Sequence, residues 1–430
     1  MYVYVVENLL RQWFTGVRHI KIDLPKQVAF IINKLYENGY EAFAVGGCVR
    51  DAVMGRVPHD WDITTNAMPE AVKSIFRKTI DTGIKHGTVT VMLERVGYEV
   101  TTYRIDGEYS DGRHPKDVIF TDNLTEDLKR RDFTINAMAY NDKTGIIDKF
   151  NGMEDIKNKI IRCVGVPEDR FSEDALRILR AIRFGAQLGF EIEPETYAAI
   201  GKLSDKLALI SKERIQAELT KLITSDNPDR VVDIYNLKLG KYVFGASSLT
   251  ESTDGEVYRY SAELMKELPD ISYFRYAGLL TSETDVEKIL RGLKLDNKTI
   301  KIVSKLVNYK CYPLGTKSSD IRKASVEIGN DIFGLYYLQY IKAVIKLGNE
   351  KTKLSLEDLA EIEKKYKAIL ENGDCLVLND MAIHGKDLKA LGLPDGKQIG
   401  DILKVLFDMV ILKPELNDKD TLIKMAKELI

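Results

Sequence analysis

Convincing β-strand signal is confined to the early part of this chain, and that asymmetry limits what it can fold into. Short runs rich in β-branched and aromatic residues, at 42–45, 61–64, 88–93 and 98–103, alternate with turn residues. One helical piece, residues 69–76, interrupts them. Ahead of them Val28, Ile31, Ile32 and Leu35 recur at helical spacing until Asn38-Gly39 stops the pattern. After about residue 150 the apolar period is helical. Segments 173–188, 212–223, 286–290, 298–306 and 356–370 read as helices, the last opened by a Ser355-x-x-Asp358 capping box. Ile399, Leu403, Leu406, Phe407 and Val410 form one more stripe near the end. The fold class expected is therefore α+β, an N-terminal head with a small mixed β-sheet followed by an all-helical neck, body and tail. The boundaries expected are an extension at 1–20, the head at 21–150, the neck at 151–225, the body at 226–350 and the tail at 351–430. No repeat of fixed period is present.

Composition adds exclusions. Of 430 residues 30% are charged, yet the formal net charge is −2, so global charge gives no argument for a nucleic-acid partner and any basic surface must be local. Four cysteines, Cys48, Cys163, Cys311 and Cys375, are scattered without a CxxC pair, which indicates neither a disulfide framework nor a zinc site. The apolar run at residues 2–6 ends at Glu7, too short for a signal peptide or membrane span. A cytoplasmic, membrane-free protein is expected.

The chemistry concentrates in the head. Gly46-Gly47-Cys48-Val49-Arg50-Asp51 places a glycine pair, able to let backbone approach a phosphate, just before an arginine. Asp60-Trp61-Asp62 follows in a segment that reads as a strand, where residues at i and i+2 share a face. Two anions side by side repel unless a cation lies between them, and for oxygen ligands plus a phosphate that cation is ordinarily Mg²⁺. Glu99, between Tyr98 and Val100, is either a third acid on a neighbouring strand or a solvent-facing residue. Lys129-Arg130-Arg131, ahead of a Phe-x-Ile-x-Ala-Met pattern, is either a charged helix end or a phosphate site for which the guanidinium fork is suited. Beyond the head, on the helix read at 173–188, Asp174, Arg177, Arg180 and Arg183 follow one another at intervals of three, along a slowly drifting face. An ordinary polar face mixes lysine with glutamate, whereas this row suits something planar or anionic.

These motifs, with Lys85-His86-Gly87-Thr88, Glu99-Val100-Thr101-Thr102-Tyr103, Arg130-Arg131-Asp132-Phe133 and Glu173-Asp174-Ala175-Leu176-Arg177, resemble the tRNA nucleotidyltransferase/poly(A) polymerase family, in its class II, CCA-adding branch. The resemblance runs from about residue 24 to 225. It implies a template-independent enzyme that adds or repairs the 3′ CCA end of tRNA from CTP and ATP and releases pyrophosphate by two-metal catalysis. By the same resemblance Asp60 and Asp62 bind the catalytic Mg²⁺, and Gly47, Arg50 and Arg131 hold the triphosphate; Glu99 is the candidate third catalytic acid beside them. Asp174 and Arg177 read the base, with Arg180 and Arg183 completing the nucleotide site. The loop 106–115 resembles the flexible loop that adenosine addition requires, with His114 where many relatives have arginine. Around His384-Gly385-Lys386 and Gly396-Lys397-Gln398 the chain looks like the family's tRNA-contacting tail. A bacterial poly(A) polymerase, a partial CC- or A-adding enzyme, and a non-catalytic RNA-binding protein are the alternatives, and monomer and homodimer both stay open.

Overall fold

A computed structural model of the chain describes residues 21–107, 118–251, 255–348, 354–394 and 396–430. The expected extension at 1–20 and most of the loop 106–115, with His114, lie outside the described residues. The chain divides into two units, residues 1–222 with 236–242, and residues 223–235 with 243–430.

In the first unit the helix Lys26–Glu37 buries Val28, Ile31, Ile32 and Leu35, the face its periodicity predicts, and Asn38 caps it. It packs on a sheet built from β1 (Ala42–Val45), β2 (Ile63–Thr65), β3 (Thr79–Gly83), β4 (Thr88–Leu93) and β5 (Val96–Thr102), completed after a separate ribbon of β6 (Arg104–Asp106) and β7 (Val118–Phe120) by β8 (Met138–Asn141) and β9 (Gly145–Asp148). The seven strands of this sheet lie in the order β3-β4-β5-β2-β1-β8-β9. Every neighbouring pair is antiparallel except β2 and β5, where Ile63 faces Val100. That one parallel pairing brings the chain just before Ile63 level with Glu99.

Three strands of the seven-stranded sheet were not legible in advance, nor was the β6–β7 ribbon. β8 is buried along its whole length and shows no alternation, β3 is an edge strand exposed through its middle, and β9 is half-buried throughout. Residues 61 and 62 precede the ladder of β2, although the Asp62 carbonyl still accepts the Val45 N–H at 3.0 Å.

The segment 173–188 is not one helix. A helix Pro167–Glu173 ends at Asp174, whose backbone is extended (φ −138°, ψ 103°), and a second helix runs Leu176–Leu188. Asp174 Oδ1 accepts the Leu176 N–H at 3.0 Å, a local side-chain bond that favours a helix start over a helix interior. The neck is also not purely helical, since β10 (Ile160–Ile161) and β11 (Glu191–Ile192) form a short parallel pair.

The second unit is helical in its described residues. The helix Leu356–Glu371 carries the full Ser355/Asp358 capping box and buries Leu359, Ile362, Tyr366 and Ile369. The helix Lys397–Leu412 buries Ile402 where Leu403 was expected to lead, since Leu403 is only half-buried. Its C-terminal carbonyls are satisfied from elsewhere. Arg322 Nε donates to Ile411 O at 2.7 Å, Nη2 to Leu412 O at 3.3 Å, and Nη1 pairs with Asp374 at 2.8 Å. No helix among the described residues is long and apolar enough to cross a membrane.

Removing one member of a buried charge pair leaves the other uncompensated. Arg322→Met is expected to destabilise the second unit by about 3 kcal/mol. Urea unfolding followed by helical circular dichroism should shift to lower denaturant. Tryptophan fluorescence, read at Trp61 in the first unit, should keep its own midpoint.

Candidate active site

β1 ends at Gly46, whose φ of +86° only glycine adopts cheaply, and the chain turns there into the helix Gly47–Val53. A Cβ at Gly46 would stand 3.1 Å from Arg131 Nη1, so that guanidinium lies directly over the glycine backbone. Arg131 Nη2 is held by Asp127 at 3.3 Å, while its Nε is buried with no hydrogen-bond partner among the described residues. Here a cation faces a surface that no side chain covers.

Asp60, Asp62 and Glu99 are solvent-exposed but share one electrostatic neighbourhood. Burial by the surrounding protein pushes the Asp62 carboxyl up, Arg131 opposes that, and the charge of Asp60 adds to it. The Glu99 carboxyl is likewise raised, by burial first and then by Asp62 and Asp60. Glu99 therefore faces solvent and the two aspartates at once. Among the described residues no three His, Cys, Asp or Glu side chains form a group able to hold a metal. A closed protein cage is thus not what the described residues offer. Two repelling carboxylates near an arginine suit instead a hard cation that takes one or two carboxylates and fills its shell with phosphate oxygens and water, which is the habit of Mg²⁺.

The remaining arginines are more deeply engaged than their spacing suggests. Arg50 is buried, donating Nη1 to Asn136 Oδ1 at 2.7 Å and pairing with Asp51 at 2.7 Å. Arg180 donates Nε and Nη2 to Asp132 Oδ2 at 2.9 and 2.6 Å. Arg183 pairs through Nε with Glu218 at 2.7 Å. All three guanidiniums lie around one ring, with their Cζ atoms 5.1, 5.3 and 3.8 Å from the centroid of Phe184. Burial lowers the Arg183 pKa to about 10, against the opposing pull of Glu218, which still leaves it charged at neutral pH.

Asp132 and Glu218 were not singled out from the sequence. Burial alone would raise the Asp132 carboxyl, but Arg180 and the Asn136 amide more than reverse it and hold it below the usual carboxylate range. Its signal was available, because an acid directly before the fully buried Phe133 needs a partner. Glu218 sits among the buried Ile215, Leu219 and Leu222, and a charge on an apolar face is the corresponding signal.

At the neck, Asp174 Oδ2 accepts from Arg214 Nη2 at 2.8 Å, a partner the sequence reading also missed. Arg177 Nη1 pairs with Glu173 at 2.6 Å and donates to Arg170 O at 3.1 Å, and Nη2 donates to Arg130 O at 3.0 Å. Asp174 and Arg177 are thus held separately, one on each side of the helix break.

The head matches a family model described as Poly A polymerase head domain over residues 42–162, and residues 274–426 match tRNA nucleotidyltransferase domain 2. Residues 189–245 match a model described as "Probable RNA and SrmB- binding site of polymerase A". The CCA-adding enzyme of Ligilactobacillus salivarius is 39% identical over 429 residues, which is 95% of this chain and 97% of that protein. That of Leuconostoc mesenteroides is 36% identical over 408 residues, 93% and 95% of the two chains. The crystal structure of Bacillus stearothermophilus CCA-adding enzyme in complex with CTP has a TM-score of 0.78 at 31% identity, covering 95% of this chain and 98% of that one. A polymerase-type head with acids and a free-facing arginine beside a glycine turn defines a nucleotidyltransferase. The chain belongs to the tRNA nucleotidyltransferase/poly(A) polymerase family, within its CCA-adding enzymes.

The Asp132–Arg180 pair gives a prediction with a defined sign. The Asp132 carboxyl titrates below its unfolded value of about 3.9, so its stabilisation is fully present above that pH and is lost as pH falls through the folded value. Asp132→Asn should cost about 1–3 kcal/mol at pH 7, read as a lower thermal midpoint. The gap to wild type should narrow below about pH 4.

Proposed function

We propose that this protein completes and repairs the 3′ end of tRNA, adding two cytidylates from CTP and one adenylate from ATP without a nucleic-acid template. The observation that carries the reading is that one unit holds both the Asp60/Asp62 pair beside Arg131 and the Asp174/Arg177 pair at the neck. The first set does the chemistry and the second chooses the nucleotide.

In the step proposed, the tRNA 3′-hydroxyl attacks the α-phosphorus. The new P–O bond forms as the bond to pyrophosphate breaks. Asp60 and Asp62 are the residues that would hold Mg²⁺, which when bound supplies positive charge beside the reacting phosphate. Glu99 adds a third negative group on their open side. Arg131, with Arg50 and the Gly47 backbone, steadies the triphosphate, and Arg131 has the strongest support because its Nε is unpartnered. Arg180 and Arg183 act from behind, through their pairs with Asp132 and Glu218.

Cytosine and adenine each present an exocyclic amino donor beside a ring-nitrogen acceptor. Asp174 accepts from the first and Arg177 donates to the second. Uracil and guanine present the reverse pattern and would leave polar groups unpaired at about 1–3 kcal/mol each. A carboxylate has about four lone-pair sites, so Asp174 can hold Arg214 and the base together.

For the tail, the helix Lys397–Leu412 begins directly after Gly396, and an open helix N-terminus suits a tRNA backbone phosphate. A cytoplasmic location is proposed with this function, supported by the four free cysteines.

Transcripts ending before CCA, after C and after CC test the reading. With CTP alone, extension should stop at CC, and with CTP and ATP together it should stop at CCA. ATP alone should extend only the transcript ending in CC. Running on into poly(A) would overturn the reading. Asp62→Ala should abolish both C and A addition by at least about 10³-fold while tRNA binding, measured by gel shift, persists. Extension by that variant would remove the carboxylates from the chemistry.

A further inference from the structure

Asp127 is completely buried, with 0% of its surface exposed, yet nothing in the chemistry above uses it. Its Oδ1 accepts from Arg130 Nε at 3.0 Å and Arg130 Nη2 at 2.7 Å. Its Oδ2 accepts from Arg131 Nη2 and from Thr64 Oγ1, both at 3.3 Å. The Arg104 N–H reaches Oδ1 at 3.4 Å. Thr64 lies on β2 two residues after Asp62, so this one carboxylate touches the strand that delivers the catalytic acids and two consecutive arginines.

Those arginines lead to opposite ends of a bound nucleotide. The other end of the Arg131 guanidinium lies over Gly46, where the proposed function puts the triphosphate. The Arg130 main-chain carbonyl accepts Arg177 Nη2 at 3.0 Å, next to the base-reading edge. Beyond Asp127, the Arg130 guanidinium reaches Asp106 on β6 at 3.6 Å, and Asp106 is itself paired with Arg104 at 3.0 Å. Arg130 is therefore held by two acids, whereas Arg131 shares a single one and keeps its charge directed outward.

We infer that Asp127 is a positioning residue that sets Arg131 over the triphosphate and, through Arg130, sets Arg177 against the base. Phosphate binding and base choice then depend on one buried carboxylate. The inference rests on the proposed roles of Arg131 and Arg177. Two adjacent guanidiniums repel, and only an acid between them and the sheet keeps both turned toward it. A displacement of about 1 Å in such a group costs on the order of 10²-fold in rate, so the anchor matters although it touches no substrate.

Asp127→Asn keeps the shape and removes the charge. It is expected to raise the KM for CTP and ATP by about tenfold and to raise UTP misincorporation on a transcript lacking CCA, with tRNA affinity unchanged. Arg131→Gln should raise KM alone, and Arg177→Gln should lose discrimination. The double variant Asp127→Asn/Arg131→Gln should have a KM no higher than that of Arg131→Gln. If Asp127→Asn does not fold, Arg130→Met keeps the main-chain carbonyl that accepts from Arg177 but releases it from Asp127, together with the Asp106 pair, and should lose discrimination at near wild-type KM. Wild-type KM and discrimination in Asp127→Asn, additive effects in the double variant, or full discrimination in Arg130→Met would each overturn the inference. If Arg131→Gln and Arg177→Gln themselves behave as wild type, the site assignment fails and takes the inference with it.

Discussion

Asp132 is the buried charge on which the relation between the sheet and the neck helix depends. Its carboxylate accepts the Phe133 N–H at 2.8 Å, the Asn136 amide at 3.1 Å, and both Nε and Nη2 of Arg180. Taking an ion out of water costs several kcal/mol, recovered only when its partners sit in good geometry. Such a pair adds little net stability and constrains orientation, because the helix Leu176–Leu188 must keep Arg180 within hydrogen-bond reach of Asp132. Asn136 also accepts from Arg50, so the arginine of the glycine turn is tied to the same point. Phe184 supplies the surface against which the three guanidiniums are stacked, and its edge contact with Phe133 anchors the ring to the strand side.

Much of this was legible from residue patterns, and the exceptions have physical causes. Where one face is buried and the other wet, as in the helices Lys26–Glu37 and Leu356–Glu371, period alone names the core residues. β8 escaped because both of its faces are buried, and period carries no information there. The break at Asp174 escaped for a different reason. Apolar spacing runs through it undisturbed, while a single side-chain bond to the Leu176 N–H decides against helix. Asp60, Asp62 and Glu99 stand out because charge clusters are visible as letters, and the structure brings their charges into one neighbourhood. Asp127, Asp132, Arg214 and Glu218 were passed over because each acts by pairing across 35 or more residues or from within a motif already accounted for by its arginines.

The row of Asp174, Arg177, Arg180 and Arg183 shows what spacing can and cannot say. It correctly marks a place where charge is concentrated. It does not say which members face a ligand, because that depends on who else has claimed them. Arg183 is buried against Glu218, and Arg180 is committed to Asp132. They set the local field and the placement of the helix, which leaves Asp174 and Arg177 as the members proposed to select the base.

Those two are themselves engaged, and the kind of engagement bears on how protein replaces a template. Arg214 holds Asp174 and Glu173 holds Arg177. A neutral base amino group cannot displace a guanidinium from a carboxylate, since the charge-assisted bond is roughly twice as strong as a neutral one. A nucleotide must therefore be read on the lone pairs and N–H groups that those pairs leave open. Fixing both groups by ion pairs before any base arrives narrows the directions in which they can donate and accept. It also removes the side-chain entropy that a floppy reader would lose on binding. Cytosine and adenine differ in size but share the amino-beside-acceptor edge. A rigid donor and acceptor set by neighbouring charges can recognise that edge in both, so under the proposed function the pattern rather than the ring is what the site would select.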